Sequence, residues 1–274
     1  MKMPSARFTA VLAAMLLATA GCSQSSSATA SDAGGDAVSS GGAAQHGMVF
    51  VVDTKMPIGE GGGISAAFQR ANGTACSWRV VGTCNVLRCA AGGQPLTNLS
   101  AGTISITGGS TPATLMPATD NTYSYSGIVS FSPGANVLFA TSGADVPAWS
   151  TSVSFPSPIT VTSPAATQSP VIDHTKDFAI AWSGGGSSKV LATVEESVPD
   201  RLVEITCLFD AAGGTATISS AALSDLEPST TLGSGSGQGD ISVYSVGASE
   251  VSAGGFPVLA AAGSVAFSAL PKIQ

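Results

Sequence analysis

The chain has 274 residues and a formal net charge of −7, with 10 Lys and Arg against 17 Asp and Glu. Its few cations are scattered rather than clustered, which argues against a nucleic-acid-binding face and against a basic patch for a membrane surface. Small residues abound and only 10% of the chain is charged. The length suits one large domain or two of ordinary size.

The N-terminus carries Lys2 and Arg7, followed by an apolar run over residues 8–18. That run is shorter than the ~20 residues needed to cross a bilayer. A basic start, a short apolar core and small residues at its end predict an export signal. The signal ends in Thr19-Ala20-Gly21-Cys22. These residues resemble the lipobox of bacterial lipoproteins, with Thr19 where that family usually has an aliphatic residue. The resemblance implies removal of residues 1–21, acylation of Cys22, and anchorage to a membrane through the N-terminal lipid. Several acyl chains hold durably where one binds marginally, at about 0.8 kcal/mol per buried CH₂. By the same family analogy, Ser23 after the cysteine implies passage to the outer membrane. Residues 22–46 are then the lipidated cysteine and a Ser/Gly-rich tether with no periodic apolar pattern. Its composition predicts a flexible coil, with His46 as a solvated linker residue.

From there the pattern is β throughout. Residues 48–52 (MVFVV) and 64–70 predict the first strands, with a glycine-rich loop at 61–63 between them. Strands are next expected at 76–81 and 84–89, then at 102–107, 123–131, 137–141, near Val153, and at 159–161. Turn residues interrupt them, and no long amphipathic helix is expected before residue 219. The Pro-flanked stretch 163–170 is the best internal boundary, dividing the chain into a first β domain over 47–163 and a second over 164–274. In the second half, residues 178–182 and 190–194 flank Gly184-Gly185-Gly186 and read as a hairpin. Residues 202–209 put Val203, Ile205, Cys207 and Phe209 on one face. One short helix is expected at 219–226, opened by a capping serine and closed before Pro228. Residues 233–239 read as a loop, and 240–246 and 265–267 as closing strands. The fold class is all-β: one or two β-sandwich domains, Ig-like or similar, with a short helix in the C-terminal half.

Export places Cys76, Cys84, Cys89 and Cys207 in an oxidising compartment, where pairing is the default. A two-residue Gly82-Thr83 turn between strands 76–81 and 84–89 sets Cys76 opposite Cys89, on a non-hydrogen-bonded pair. Such pairs have Cα atoms about 4.5 Å apart, within reach of a disulfide. The register also puts Cys76, Trp78, Val80, Leu87 and Cys89 on one face, with Ser77, Arg79 and Arg88 on the other; a one-residue slip would undo that separation. The prediction is Cys76–Cys89, which leaves Cys84 for Cys207. Seven and four intervening residues between Cys76, Cys84 and Cys89 match no zinc pattern, so no metal site is expected.

Other candidates for chemistry are sparse. Asp173-His174 with Lys176 and Asp177 has acid–base character but reads as a polar turn before the 178–182 strand. No Gly-x-Ser-x-Gly elbow, phosphate loop or calcium loop is present. Glu195, Glu196, Asp200, Glu204 and Asp210 could hold calcium or face a cationic partner; a solvated strand-and-turn face is the simpler reading. Trp78, Trp149 and Trp182 read as core, with Trp149 the one candidate for a sugar-stacking position. In texture the chain is also loosely similar to lipoproteins abundant in myxobacteria: Cys22, a Ser/Gly tether, a cysteine cluster and ITVTSP at 159–164. The expectation is a non-enzymatic cell-envelope lipoprotein, without cofactor or metal, that displays disulfide-braced β domains to a protein or glycan partner. A membrane-tethered hydrolase using His174 or a carboxylate, and an accessory subunit of an envelope or export complex, are the alternatives.

Overall fold

The computed structural model describes residues 45–274 apart from 54, 57–58, 61–62, 72–75, 90–95, 126, 128, 166–168, 187, 199–200 and 229–237. Strand β1 (Gln45–Asp53) leads through the short pair β2 (Lys55–Met56) and β3 (Gly59–Glu60) to β4 (Gly63–Ala71). The hairpin β5 (Cys76–Val81) and β6 (Cys84–Cys89) is followed by β7 (Leu96–Asn98). Next come β8 (Ile104–Thr107), β9 (Ala113–Leu115), β10 (Tyr123–Tyr125), β11 (Asn136–Thr141) and β12 (Ser150–Ser154). Then β13 (Ile159–Ser163), β14 (Val171–Ile172) and β15 (Phe178–Gly184) precede the paired strands β16 (Lys189–Val198) and β17 (Arg201–Asp210). The chain ends with β18 (Thr215–Ile218), helix α1 (Ser220–Leu223), the long hairpin β19 (Gln238–Ala253) and β20 (Phe256–Ala269), and β21 (Lys272–Ile273).

Ten of these strands form one sheet in the order β10–β4–β1–β20–β19–β16–β17–β6–β5, with β7 added on β4. All its pairings are antiparallel except β1 with β20, where Met48 lies against Leu259. Five strands separate β1 from β5 in this order, yet the rings of His46 on β1 and Trp78 on β5 meet edge to face at 4.7 Å. The sheet therefore curls until its β5 end meets β1, the third strand from the other end, through side chains. Right-handed strand twist makes such coiling the ordinary fate of a wide sheet.

The outer face of the curl is covered by two small sheets, β12–β11–β8–β9 and β13–β15–β18. Under the first, Val49, Val51, Ile64, Phe68 and Val258 of the main sheet pack on Ile104, Ile106, Val137 and Phe139. Under the second, Val190, Val194, Val203, Ile205 and Val243 pack on Ile159, Ile180, Trp182 and Ile218, with Leu223 of α1 closing the end. Each is sheet-on-sheet packing, in which inward residues of facing strands interdigitate. Removing a Val, Ile or Phe side chain from water contributes about 1.5–3 kcal/mol. Because main-sheet strands are buried on both faces, β1 reads as a continuous apolar run where a one-sided strand would alternate.

The all-β class with one short helix is as the sequence predicts. Helix α1 follows the capping residue Ser219, whose hydroxyl accepts from the Ala222 N–H at 3.3 Å. The β5–β6 hairpin has the predicted register, with a positive φ of 59° at Gly82 as the favoured two-residue turns require. The β19–β20 turn uses Gly254 and Gly255, both at positive φ.

Four expectations are corrected. The tether does not run to residue 46: β1 begins at Gln45 and His46 is 2% exposed. The division between 47–163 and 164–274 does not separate the main sheet, which takes strands from both sides of it. Residues 178–182 and 190–194 are not a hairpin; β15 pairs with β13 and β18, whereas β16 pairs with β17 and β19. Gly184, Gly185 and Gly186 all have positive φ and carry the chain from the small sheet to the large one. A Cβ on Gly185 would sit 2.7 Å from Ile159 Cγ2, which leaves glycine alone able to make that crossing. Finally, the expected strand at 123–131 is only the three residues of β10.

Candidate functional site

The strands that curl inward present a second set of side chains, and here the register brings polar groups together. Glu195 on β16 stands directly opposite Glu204 on β17 and directly opposite Asp240 on β19. The next rung holds Thr206, Thr193 and Ser242, followed by Leu208, Leu191 and Tyr244. On the other side of Glu204 the same row continues through Leu87 on β6 to Trp78 on β5, and thence to His46 by ring contact. An apolar patch of Met48, Phe50, Leu191, Tyr244, Val246 and Ala261 fills the rest of this face.

Burial is graded along the row. Glu204 is 2% exposed, whereas Glu195 and Asp240 keep partial access to solvent. Glu204 Oε1 accepts a hydrogen bond from Thr206 Oγ1 at 3.3 Å, and its Oε2 has no partner in the protein. Ser242 Oγ donates to Asp240 Oδ1 at 2.8 Å. Burial, then the neighbouring Glu195 charge, pushes the Glu204 carboxyl well above the usual carboxylate range. Burial, then Asp240, raises Glu195 to about 7, and burial raises Asp240. Burial lowers His46 to about 3 against the opposing Gln69 amide, so its imidazole is neutral at neutral pH. Burial also lifts the Tyr244 phenol to about 12. His46 Nδ1, Gln69 Oε1 and Trp78 Nε1 are buried atoms without a hydrogen-bond partner.

The acidic residues of the second half therefore do not form one solvated face, as the sequence suggested. Glu195 and Glu204 point into the curl. Glu196, one position along, points the other way, is fully buried, and pairs with Arg201, which also binds Glu227. Asp210 is exposed and pairs with Lys189 at 2.5 Å, and Asp200 lies outside the described residues. Strand alternation separates neighbours that look like a cluster in sequence. Among the described residues no group of three or more His, Cys, Asp or Glu side chains is placed to hold a metal ion.

Both disulfides join the expected partners. Cys76–Cys89 spans β5 and β6 with Cα atoms 4.1 Å apart, and Cys84–Cys207 spans β6 and β17 at 4.0 Å. Each bridges residues directly opposite in register, so consecutive strands at this end of the sheet are stapled in series. The two faces of the hairpin differ from the sequence reading in one respect. The Arg79 face is not left to solvent, because Cys84 and Val86 on it enter the core under the small sheet. Arg79 and Arg88 turn to α1 instead. The Arg79 guanidinium donates to Asp225 Oδ2 at 2.8 and 3.0 Å, to the Ala221 carbonyl at 2.7 Å and to Ser224 Oγ at 3.0 Å. Arg88 approaches Asp225 at 3.9 Å.

His174 sits in a turn, with Nδ1 2.5 Å from the Gln274 backbone oxygen. Asp173 accepts from the Thr175 N–H and hydroxyl and pairs with Lys176 at 2.7 Å, while Asp177 accepts from the Ser220 N–H at the start of α1. These are turn and capping bonds, and they do not bring a nucleophile to His174. Trp149 and Trp182 are buried, at 7% and 4% exposure, and Trp78 is partly buried, so none is a surface stacking platform. Cys22 and the signal lie outside the described residues, as do positions 61–62 and 233–237 of the two expected glycine loops. What sequence reading missed is the row Glu204–Glu195–Asp240. Its signal is the interruption of apolar alternation in β16 and β17 by Glu at matching distances from the hairpin turn. No family model, no curated protein and no solved structure matches the chain.

Proposed function

We propose that the chain is a lipid-anchored display protein of the cell envelope, held by an acyl-modified Cys22 and presenting its β fold to a protein or glycan partner. The observation that carries this reading is the order of parts along the chain. A basic and then apolar segment ends in Ala20-Gly21-Cys22, a Ser/Gly-rich stretch follows, and the first strand begins at Gln45. A coil of that length has an r.m.s. reach of roughly 25 Å, enough to stand a folded body off a lipid surface.

Two features of the fold support display. The disulfides suit an oxidising compartment. The outward faces of both small sheets carry uncharged residues, among them exposed Ser105, Ser150, Ser152, Thr160, Thr162 and Thr217. Such faces offer hydroxyls and little electrostatic selectivity, which suits a neutral, hydroxyl-rich or peptide partner better than a charged one.

The test is metabolic labelling with palmitate in a Gram-negative host. The wild-type protein should take up label and remain with membranes after carbonate extraction, and Cys22→Ala should lose both properties. An unlabelled wild-type protein recovered in the soluble extract would overturn the reading.

A further inference from the structure

The inward row of carboxyls calls for an explanation that display does not supply. Like charges directly opposite one another on neighbouring strands destabilise a sheet, and here three stand in line across β17, β16 and β19. The groups facing them are known from the register. Strand β6 offers Asn85 and Leu87, β5 offers Trp78, β19 adds Ser242 and Tyr244, and β17 and β16 add Thr206 and Thr193. The nearest imidazole on this face is that of His46, which packs on Trp78 and is buried. Among the described residues flanking the row there is no lysine or arginine; Lys189, on the same face of β16, lies three rungs away and is paired with Asp210. Glu204 is enclosed with one oxygen unpartnered. A carboxylate so placed carries the full cost of desolvation, and a proton removes that cost. Access is one-sided, since Glu195 and Asp240 keep contact with solvent.

We propose that Glu204, Glu195 and Asp240 form a proton-operated latch on the curl of the main sheet. While the row holds its protons, the carboxyls pack between β17, β16 and β19. When the protons leave through the Asp240 end, repulsion within the row loosens those strands from one another. The raised titration of all three groups agrees with this geometry. A carboxyl raised in the folded state keeps a proton that the unfolded chain has released. Stability is therefore unaffected below the unfolded carboxyl range, near 4.5, and falls as pH climbs through about 7 at Glu195. This is the reverse of a salt-bridged carboxylate, and it does not depend on acylation of Cys22.

The test is the melting temperature of the full-length, disulfide-intact protein from pH 5 to pH 9, beside Glu195→Gln and Asp240→Asn. Wild type should lose several degrees on going from pH 5.5 to 8.5. Glu195→Gln should lessen that loss and melt above wild type at pH 8.5, and Asp240→Asn should lessen it too, while the enclosed Glu204 carboxyl, raised furthest, keeps the remainder in both variants. Carboxyl ¹³C shifts of glutamate-labelled wild-type protein provide a readout that needs no variant: one side-chain resonance should titrate near neutrality and another should stay protonated beyond it. A flat wild-type profile, the same slope in both variants, or glutamate carboxyls that all titrate below pH 5 would overturn the proposal.

Discussion

Removing the two disulfides one at a time should have unequal effects. Cys84 and Cys207 are 123 residues apart in sequence, and Cys76 and Cys89 are 13 apart. In the chain-entropy description, a crosslink stabilises by restricting the unfolded chain, more so for a longer loop. At 25 °C the relation gives about 5 kcal/mol for the bridge of separation 123 and about 3 kcal/mol for that of separation 13. The loops overlap between residues 84 and 89, but neither bridge shortens the path closed by the other. Packing acts in the same direction, since Cys84 and Cys207 are both inside the core under the second small sheet, whereas Cys76 lies at a partly buried margin. The double variant Cys84→Ala/Cys207→Ala should thus be less stable than Cys76→Ala/Cys89→Ala by about 2 kcal/mol or more. Equilibrium urea unfolding of both variants at pH 6 without reductant measures the difference. Equal losses, or a larger loss from the short loop, would refute the entropic reasoning.

Arg79→Ala should cost about 1–2 kcal/mol in the same urea experiment, because it removes four hydrogen bonds from a partly exposed guanidinium to the end of α1. Arg79→Lys should recover less than half of that, since an ammonium cannot reproduce the planar fork. Gly263→Ala should destabilise by about 1–3 kcal/mol, because the new Cβ would stand 2.1 Å from the Ser245 carbonyl oxygen across β19–β20; thermal melting measures it. His46 acts at the acid end. Its folded pKa, near 3, lies below the unfolded 6.5, so the stability it permits is complete above 6.5 and is lost as pH falls toward 3. Against the opposite slope of the carboxyl row, His46→Phe should raise the melting temperature at pH 3.5 relative to that at pH 6 compared with wild type, and an unchanged difference between the two pH values would remove His46 as a contributor.

Local chemistry was readable from sequence wherever a few residues decide it. The Gly82-Thr83 turn fixed a register, the register placed Cys76 on Cys89, and the remainder joined Cys84 to Cys207. Helix α1 was visible through Ser219 and the proline after it. What escaped depends on contacts distant in sequence. His46 follows a stretch of Ser, Gly and Ala and looks like part of it; only pairing with β20 and β4 and contact with Trp78 bury it. The three glycines after Trp182 look like a turn between two strands that would pair, and nothing local shows that the strands belong to different sheets. The carboxyl row was hidden because a glutamate in an exposed strand and one inside a curl have the same neighbours in sequence. Curling is decided by the whole sheet.

The parallel pairing of β1 with β20 constrains the order in which the fold can be made. The first strand to emerge from a ribosome or a translocation pore takes its place between β4 and the last long strand, so one edge of QHGMVFVVD stays unpaired until almost the whole polypeptide has followed. An apolar strand with a free edge is a template for pairing with other chains, and such distant pairing is slow to form. Newly made molecules should therefore depend on holding factors for as long as the C-terminal hairpin is still in transit. A chain truncated before Phe256 should accumulate as aggregate, without a partly folded domain.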